Sequence, residues 1–157
     1  MSYPVEPDYI IVELGDGATP TEAFSVMCGM ENASINETVQ SNDRYRRDCT
    51  KPAAIPTRKV RVTGKQWDVT ANGVINMAEF VRFNAALGVR RNYRFLYGQY
   101  DQQAATDTER TGTIYGYKSG PAVMTANNMN VGGDEGAAEI TLAGEDELVW
   151  TPGDPNA

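Results

Sequence analysis

The chain has 157 residues, 41% hydrophobic and 22% charged, a balance that suits one folded domain with an ordinary core and argues against disorder. It has no histidine, two cysteines and a net charge of −7, so the commonest general base and metal ligand are missing and tight phosphate binding is disfavoured. No apolar run reaches the roughly 18 residues of a membrane helix. The first residues lack the basic and apolar regions of a secretory leader, which points to folding in a cytoplasm.

In chain order, residues 1–8 carry Pro4 and Pro7 and read as an extended arm. Residues 9–14 are a first strand rich in β-branched side chains, ended by Gly15-Asp16-Gly17. Residues 23–30 read as a second strand with Phe24, Val26, Cys28 and Met30 on one face, so Cys28 is expected to be buried. Ala33, Ile35 and Val39 continue on the opposite phase after a bend near Gly29 and Asn32. Residues 40–57, with Pro52 and Pro56, read as a long loop, and loops of that length are usually functional or disordered. Arg44, Tyr45, Arg46 and Arg47 in that loop are flanked by Asp43 and Asp48, which favours a solvated or partner-binding loop over a nucleic-acid patch.

Residues 58–71 form a third strand. Val60 and Val62 point one way and Trp67 and Val69 the other, which a bulge near Gly64 would reconcile. Ala71-Asn72-Gly73 is a turn signal. The spacing of Met77, Phe80, Val81, Phe83 and Leu87 predicts a helix over about 77–87, capped by Asn76 with Glu79 three residues on and stopped at Gly88. Residues 91–100 are a strand with Tyr93, Phe95 and Tyr97 on one face. Residues 101–110 are a polar connection, and 111–118 and 121–131 are two strands around Ser119-Gly120. A turn at 132–136 leads into 137–150, where Ile140, Leu142, Leu148 and Trp150 share one parity, and a Pro/Gly tail covers 151–157. The expected class is mainly β, a sandwich or partly closed barrel with one flanking helix, a long loop and extended termini. It forms a single domain over 1–157, with an arm at 1–8, a core at 9–150 and a tail at 151–157.

The charges are segregated along the chain. Residues 1–37 and 131–157 each hold seven acids and no Lys or Arg, while all 14 basic residues fall between 44 and 118. This fits either a solvated surface with clustered signs or a bipolar subunit whose acidic face meets a basic face on the next copy. Cys28 and Cys49 match no metal spacing and in a reducing compartment are free thiols; a disulfide would require Cys49 to fold back beside Cys28.

The sequence offers no catalytic or cofactor-binding constellation: no phosphate loop, dinucleotide fingerprint or nucleophile elbow. Gly132-Gly133-Asp134-Glu135-Gly136 lacks cation-loop ligand spacing and reads as a turn. Glu145-Asp146-Glu147 reads as a solvated turn and Trp67 as core. No enzyme, cofactor or metal is expected.

Two stretches carry a resemblance. The first runs from Val26-Met27-Cys28-Gly29 through Thr38-Val39-Gln40-Ser41-Asn42 and Arg47-Asp48-Cys49 to Val60-Arg61-Val62-Thr63-Gly64-Lys65-Gln66-Trp67-Asp68-Val69-Thr70. The second runs from Gly120-Pro121-Ala122-Val123-Met124-Thr125-Ala126-Asn127-Asn128-Met129-Asn130 to Gly144-Glu145-Asp146-Glu147-Leu148-Val149-Trp150. In this order, over roughly residues 20–150, the chain resembles the tail tube (major tail) proteins of long, non-contractile-tailed bacteriophages, the siphophage type.

The resemblance implies a β-sandwich with a flanking helix, in a virion structural protein that forms homohexameric rings stacked into a hollow tube, assembled in the host cytoplasm. It implies a bore of acidic tendency, through which DNA is ejected and in which a tape measure protein lies. It also implies tail tip or baseplate and tail terminator proteins as partners, and neither a membrane nor sequence-specific nucleic acid. By position it assigns inter-subunit contacts to Asn42, Arg44, Tyr45, Arg46 and Arg47 of the loop, Tyr3 and Pro4 of the arm, and Pro152 of the tail. The large C-terminal immunoglobulin-like decoration of many relatives is missing from this sequence. Two rival readings remain: an inner tube of a contractile tail or type VI secretion-like system, and a small-ligand-binding β-barrel with its cavity along 111–117 and 138–150.

Overall fold

The computed structural model describes residues 4–101, 112–132 and 136–156. Tyr3, residues 102–110 of the polar connection with Thr111 after it, and Gly133, Asp134 and Glu135 of the 132–136 turn lie outside them. The chain runs β1 (Tyr9–Gly15), β2 (Phe24–Val26), β3 (Met30–Arg46), β4 (Thr57–Val74), a 3-10 turn (Met77–Glu79), α1 (Phe80–Ala86), β5 (Arg90–Gln99), β6 (Thr113–Asn130), β7 (Ala137–Gly144) and β8 (Val149–Pro152). The strands form one antiparallel sheet in the order β2-β1-β5-β6-β7-β4-β3, with β8 beside β6. It does not close into a barrel.

Alternation drives the sheet to fold over itself. Val12, Leu14, Tyr93 and Phe95 project from the β1–β5 half, and Trp67, Val69, Ala71, Ile140 and Leu142 from the β4–β7 half; all are buried in one core. Trp67 meets Phe95 edge to face with ring centroids 6.1 Å apart, although two strands separate β4 from β5 along the sheet. This sandwich-like arrangement agrees with the expected class.

Trp67 has room because two glycines lie beneath it. A Cβ on Gly144 would stand 2.1 Å from the indole and one on Gly120 2.9 Å. Gly120 therefore lies inside β6, where the expected turn at Ser119-Gly120 is replaced by one continuous strand. Ala71-Asn72-Gly73 is likewise strand, held between Ala33, Asn32 and Met30 on β3 and Ile140, Glu139 and Ala138 on β7. In both places neighbouring strands supply the partners that a local turn signal ignores.

The helix is shorter than the 77–87 span, because its first turn is 3-10. Asn76 caps it, accepting from Ala78 N at 3.0 Å, and Gly88 takes φ +76° just beyond its end, as expected. Glu79 does not close a capping box; it pairs with Arg82, whose guanidinium also donates to Ser25 Oγ at 2.7 Å and Val26 O at 3.2 Å. Phe83 and Ala86 seal the core while Met77 and Val81 stay exposed.

Cys28 corrects another expectation. β2 stops at Val26, Met27 turns into the core, and Gly29 at φ +108° resets the phase before Met30, which leaves Cys28 exposed. Both cysteines are free.

Candidate assembly interface

The expected 40–57 loop is in large part strand at its start and a turn only beyond it. β3 continues to Arg46 and β4 begins at Thr57, so only residues 47–56 turn. Because β4 pairs with β7 only over Asp68–Val74, the stretch from Glu37↔Trp67 to Arg46↔Thr57 stands off the sheet as a two-stranded ribbon. At ~3.3 Å per residue its ten pairs reach roughly 30 Å. Sequence reading missed it because 40–46 has no apolar alternation. The signal available was the β-branched run from Thr57 to Thr63, which needs a partner strand.

The ribbon has two chemically distinct faces. Asn42 stands opposite Arg61 and Arg44 opposite Lys59, and Arg46 follows on the same face, giving a basic strip. The other face carries Val60, Val62 and Tyr45, with relative exposures of 53%, 56% and 71%, and the Asp43–Arg58 pair at 3.9 Å. A register shift between Gln40 and Ser41 leaves Thr63 as the extra residue of β4, the bulge expected near Gly64.

Both ends of the ribbon are fixed. At the tip, Asp48 accepts from Thr50 Oγ1 at 2.7 Å and Thr50 N at 2.9 Å; these bonds hold its carboxyl below the usual carboxylate range. At the root, Lys118 on β6 reaches across to Glu37 at 2.8 Å, and this bond raises the ammonium pKa. Lys65 meets Glu147 at 3.4 Å.

Of the expected contact residues, Asn42, Arg44, Tyr45 and Arg46 therefore lie together on β3 and Arg47 just past it, all exposed. Pro4 is exposed in the arm that precedes β1, where Asp8 N donates to Gly98 O of β5 at 2.8 Å. Pro152 ends β8. The tail then folds back on its own subunit: Gly153 N donates to Tyr115 O at 3.0 Å and Asn156 Nδ2 to Glu13 Oε2 at 3.1 Å. Glu13 is buried beneath it, 3.3 Å from Arg94 Nε, whose guanidinium stacks on Phe24 at 3.8 Å.

No family model matches the chain, and no curated protein does. Solved structures do match over almost the whole length. A chain of the tail of an empty gene transfer agent particle, refined with C6 symmetry, aligns at 14% identity over 90% of this chain and 95% of that one, with a TM-score of 0.59. The SPP1 tail tube aligns at 10% identity over 96% and 80%, TM-score 0.59. A chain of the anti-feeding prophage baseplate aligns at 9% identity over 96% and 97%, TM-score 0.62. The chain has the fold of a tail tube subunit.

Proposed function

We propose that this protein is the structural subunit of a siphophage-type tail tube, assembling into stacked six-membered rings that enclose a passage for DNA. The observation that carries the reading is the ribbon. A lone two-stranded hairpin is marginally stable in water, yet this one stands off the sheet with a basic face and an apolar face both uncovered. A second copy receiving it would bury those valines and satisfy those cations, and a head-to-tail contact of that kind repeats without limit along an axis. The likeness to subunits of tail structures supports the same reading. Inter-subunit contacts then fall on Asn42, Arg44, Tyr45, Arg46 and Arg47, with Tyr3, Pro4 and Pro152 at the chain ends. The partners are copies of the chain, a tape measure protein and DNA in the bore, and tip and terminator proteins at the two ends. The place of action is the virion tail, after assembly in a host cytoplasm; no catalytic role is assigned.

The contractile alternative has a specific support, since tube chains of extracellular contractile injection systems share this fold at comparable similarity. Mixing the purified protein with isolated non-contractile tail tips, then pelleting, tests the main reading. Recovery of the protein in the pellet only when tips are present, as extended tubes, is expected. Failure to add to non-contractile tips, with addition to a contractile baseplate instead, would transfer the assignment to the contractile class.

A further inference from the structure

We propose that the aromatic cleft between the arm, β5, β6 and β8 is a binding site for a neutral saccharide. The cleft is complete in a single subunit, so it stands apart from the tube reading. On β5, Tyr97 continues the row of Tyr93 and Phe95 past the end of the core: those two are buried, while Tyr97 is partly open. With Tyr115 and Lys118 of β6, Trp150 of β8, and Val5 and Pro7 of the arm, it lines a cavity of about 400 Å³, within the ordinary range of small-ligand clefts.

The rings are held in place by the strands beneath them. A Cβ at Gly116 would stand 2.6 Å from the Trp150 indole, so the glycine leaves that ring a seat against β6. Trp150 is paired into the sheet opposite Lys118 and is still 48% exposed, in a chain whose other tryptophan is buried. Its ring lies 5.9 Å from that of Tyr97 at an interplanar angle of 59°, so the two form an angled wall that cannot clamp a flat ring between parallel faces. The polar groups at the rim come in donor and acceptor pairs. Tyr115 Oη donates to Gln99 Oε1 at 2.7 Å, and Lys118 Nζ to Glu37 Oε2 at 2.8 Å. An ammonium with one such bond has N–H groups to spare, and a phenol that donates can still accept.

That chemistry selects the ligand. Glu37 balances the charge of Lys118, so the pair offers no net charge to an ion. The faces of the three rings are electron-rich and attract C–H groups. The rim both donates and accepts, as a hydroxyl does. A pyranose unites the two, with C–H groups across its faces and hydroxyls around its edge. A hydrocarbon would leave the rim's polar groups desolvated and unpaired, and an anion would meet the Glu37 carboxylate beside the lysine.

Tryptophan emission reads the site, because Trp67 is buried and Trp150 is open. The purified chain is titrated with soluble neutral oligosaccharides of glucose, of galactose and of N-acetylglucosamine, and separately with a peptide of the arm sequence Pro4-Val5-Glu6-Pro7. A saturable blue shift with at least one oligosaccharide, and none with the peptide, is the expected result. Tyr97→Ala should weaken that binding about tenfold. Tyr115→Phe keeps the ring and loses only the hydroxyl, so it should weaken binding by about threefold while leaving the melting temperature in place. No saturable response to any of the sugars, a sugar response that both variants leave unchanged, or a response to the peptide as strong as to any sugar would overturn the assignment.

Discussion

Trp67 is the residue on which the two halves of the sheet depend. Its indole rests over Gly144 and Gly120, meets Phe95, and donates from Nε1 to Glu145 O at 3.3 Å. Trp67→Ala should cost about 3–5 kcal/mol and Gly144→Ala about 1–3 kcal/mol by overpacking. The pair should be non-additive, because the part of the Gly144 clash that falls on the indole goes with it, while the contact with Trp67 O at 2.5 Å stays; denaturant titration of the three variants measures that coupling. Tyr93 gives a pH prediction. Burial pushes its phenol up to about 12. The unfolded chain loses this proton near pH 10 and the folded one near 12, so stability falls as pH rises between them, by roughly 3 kcal/mol at most. Lys118, raised chiefly by its bond to Glu37, adds a loss in the same direction above 10.5. The Tyr93 hydroxyl finds no hydrogen-bond partner among the described residues, so Tyr93→Phe should hold or raise the melting temperature at pH 7 and flatten the alkaline decline. At this scale the sequence was readable where packing follows alternation: Trp67, Tyr93 and Phe95 are core as their spacing implies. Cys28 was not, because one glycine with positive φ resets the phase, and alternation has no means of registering that.

Among the elements, the ribbon is the one least dependent on the core. The buried cluster draws on Met30 from β3 and on Trp67 and residues beyond it from β4, and on nothing between them. Replacing residues 41–62 by a two-residue turn should therefore leave the melting temperature close to that of the intact chain and abolish tube growth, checked by circular dichroism and by pelleting. Loss of the fold would show that the ribbon supports the body and is more than an arm. Which elements exist was largely visible in the sequence: β1, β5, the helix and the bulge near Gly64 fall where propensity, capping and phase place them. The errors were of continuity. β6 runs unbroken through Ser119-Gly120, and β3 and β4 extend into the supposed loop, because strand length is set by cross-strand partners. Those partners lie tens of residues away, and local turn residues say nothing about them.

Across the whole molecule, the charge segregation seen along the chain becomes segregation in space. The basic strip of Arg44, Arg46, Lys59 and Arg61 stands on the ribbon, while exposed Glu31 and Glu139 line a groove of about 570 Å³ where β3 and β7 begin, at the sheet end away from the ribbon. Head-to-tail growth would bring those ends together. Arg44→Glu with Arg61→Glu should then suppress stacking without altering subunit stability, and stacking of the parent should weaken with salt as screening shortens from about 10 Å at 0.1 M to about 3 Å at 1 M. A salt-independent sedimentation profile would locate the adhesion in the valine face instead.

The central claim is that this fold builds hollow six-membered rings, and electron microscopy of the assembled protein tests it most directly. End-on averages with six lobes around an open bore, and side views of stacked rings, are the predicted result. Solid filaments, rings of another symmetry, or a protein that stays monomeric at high concentration even with tail tips present would contradict it.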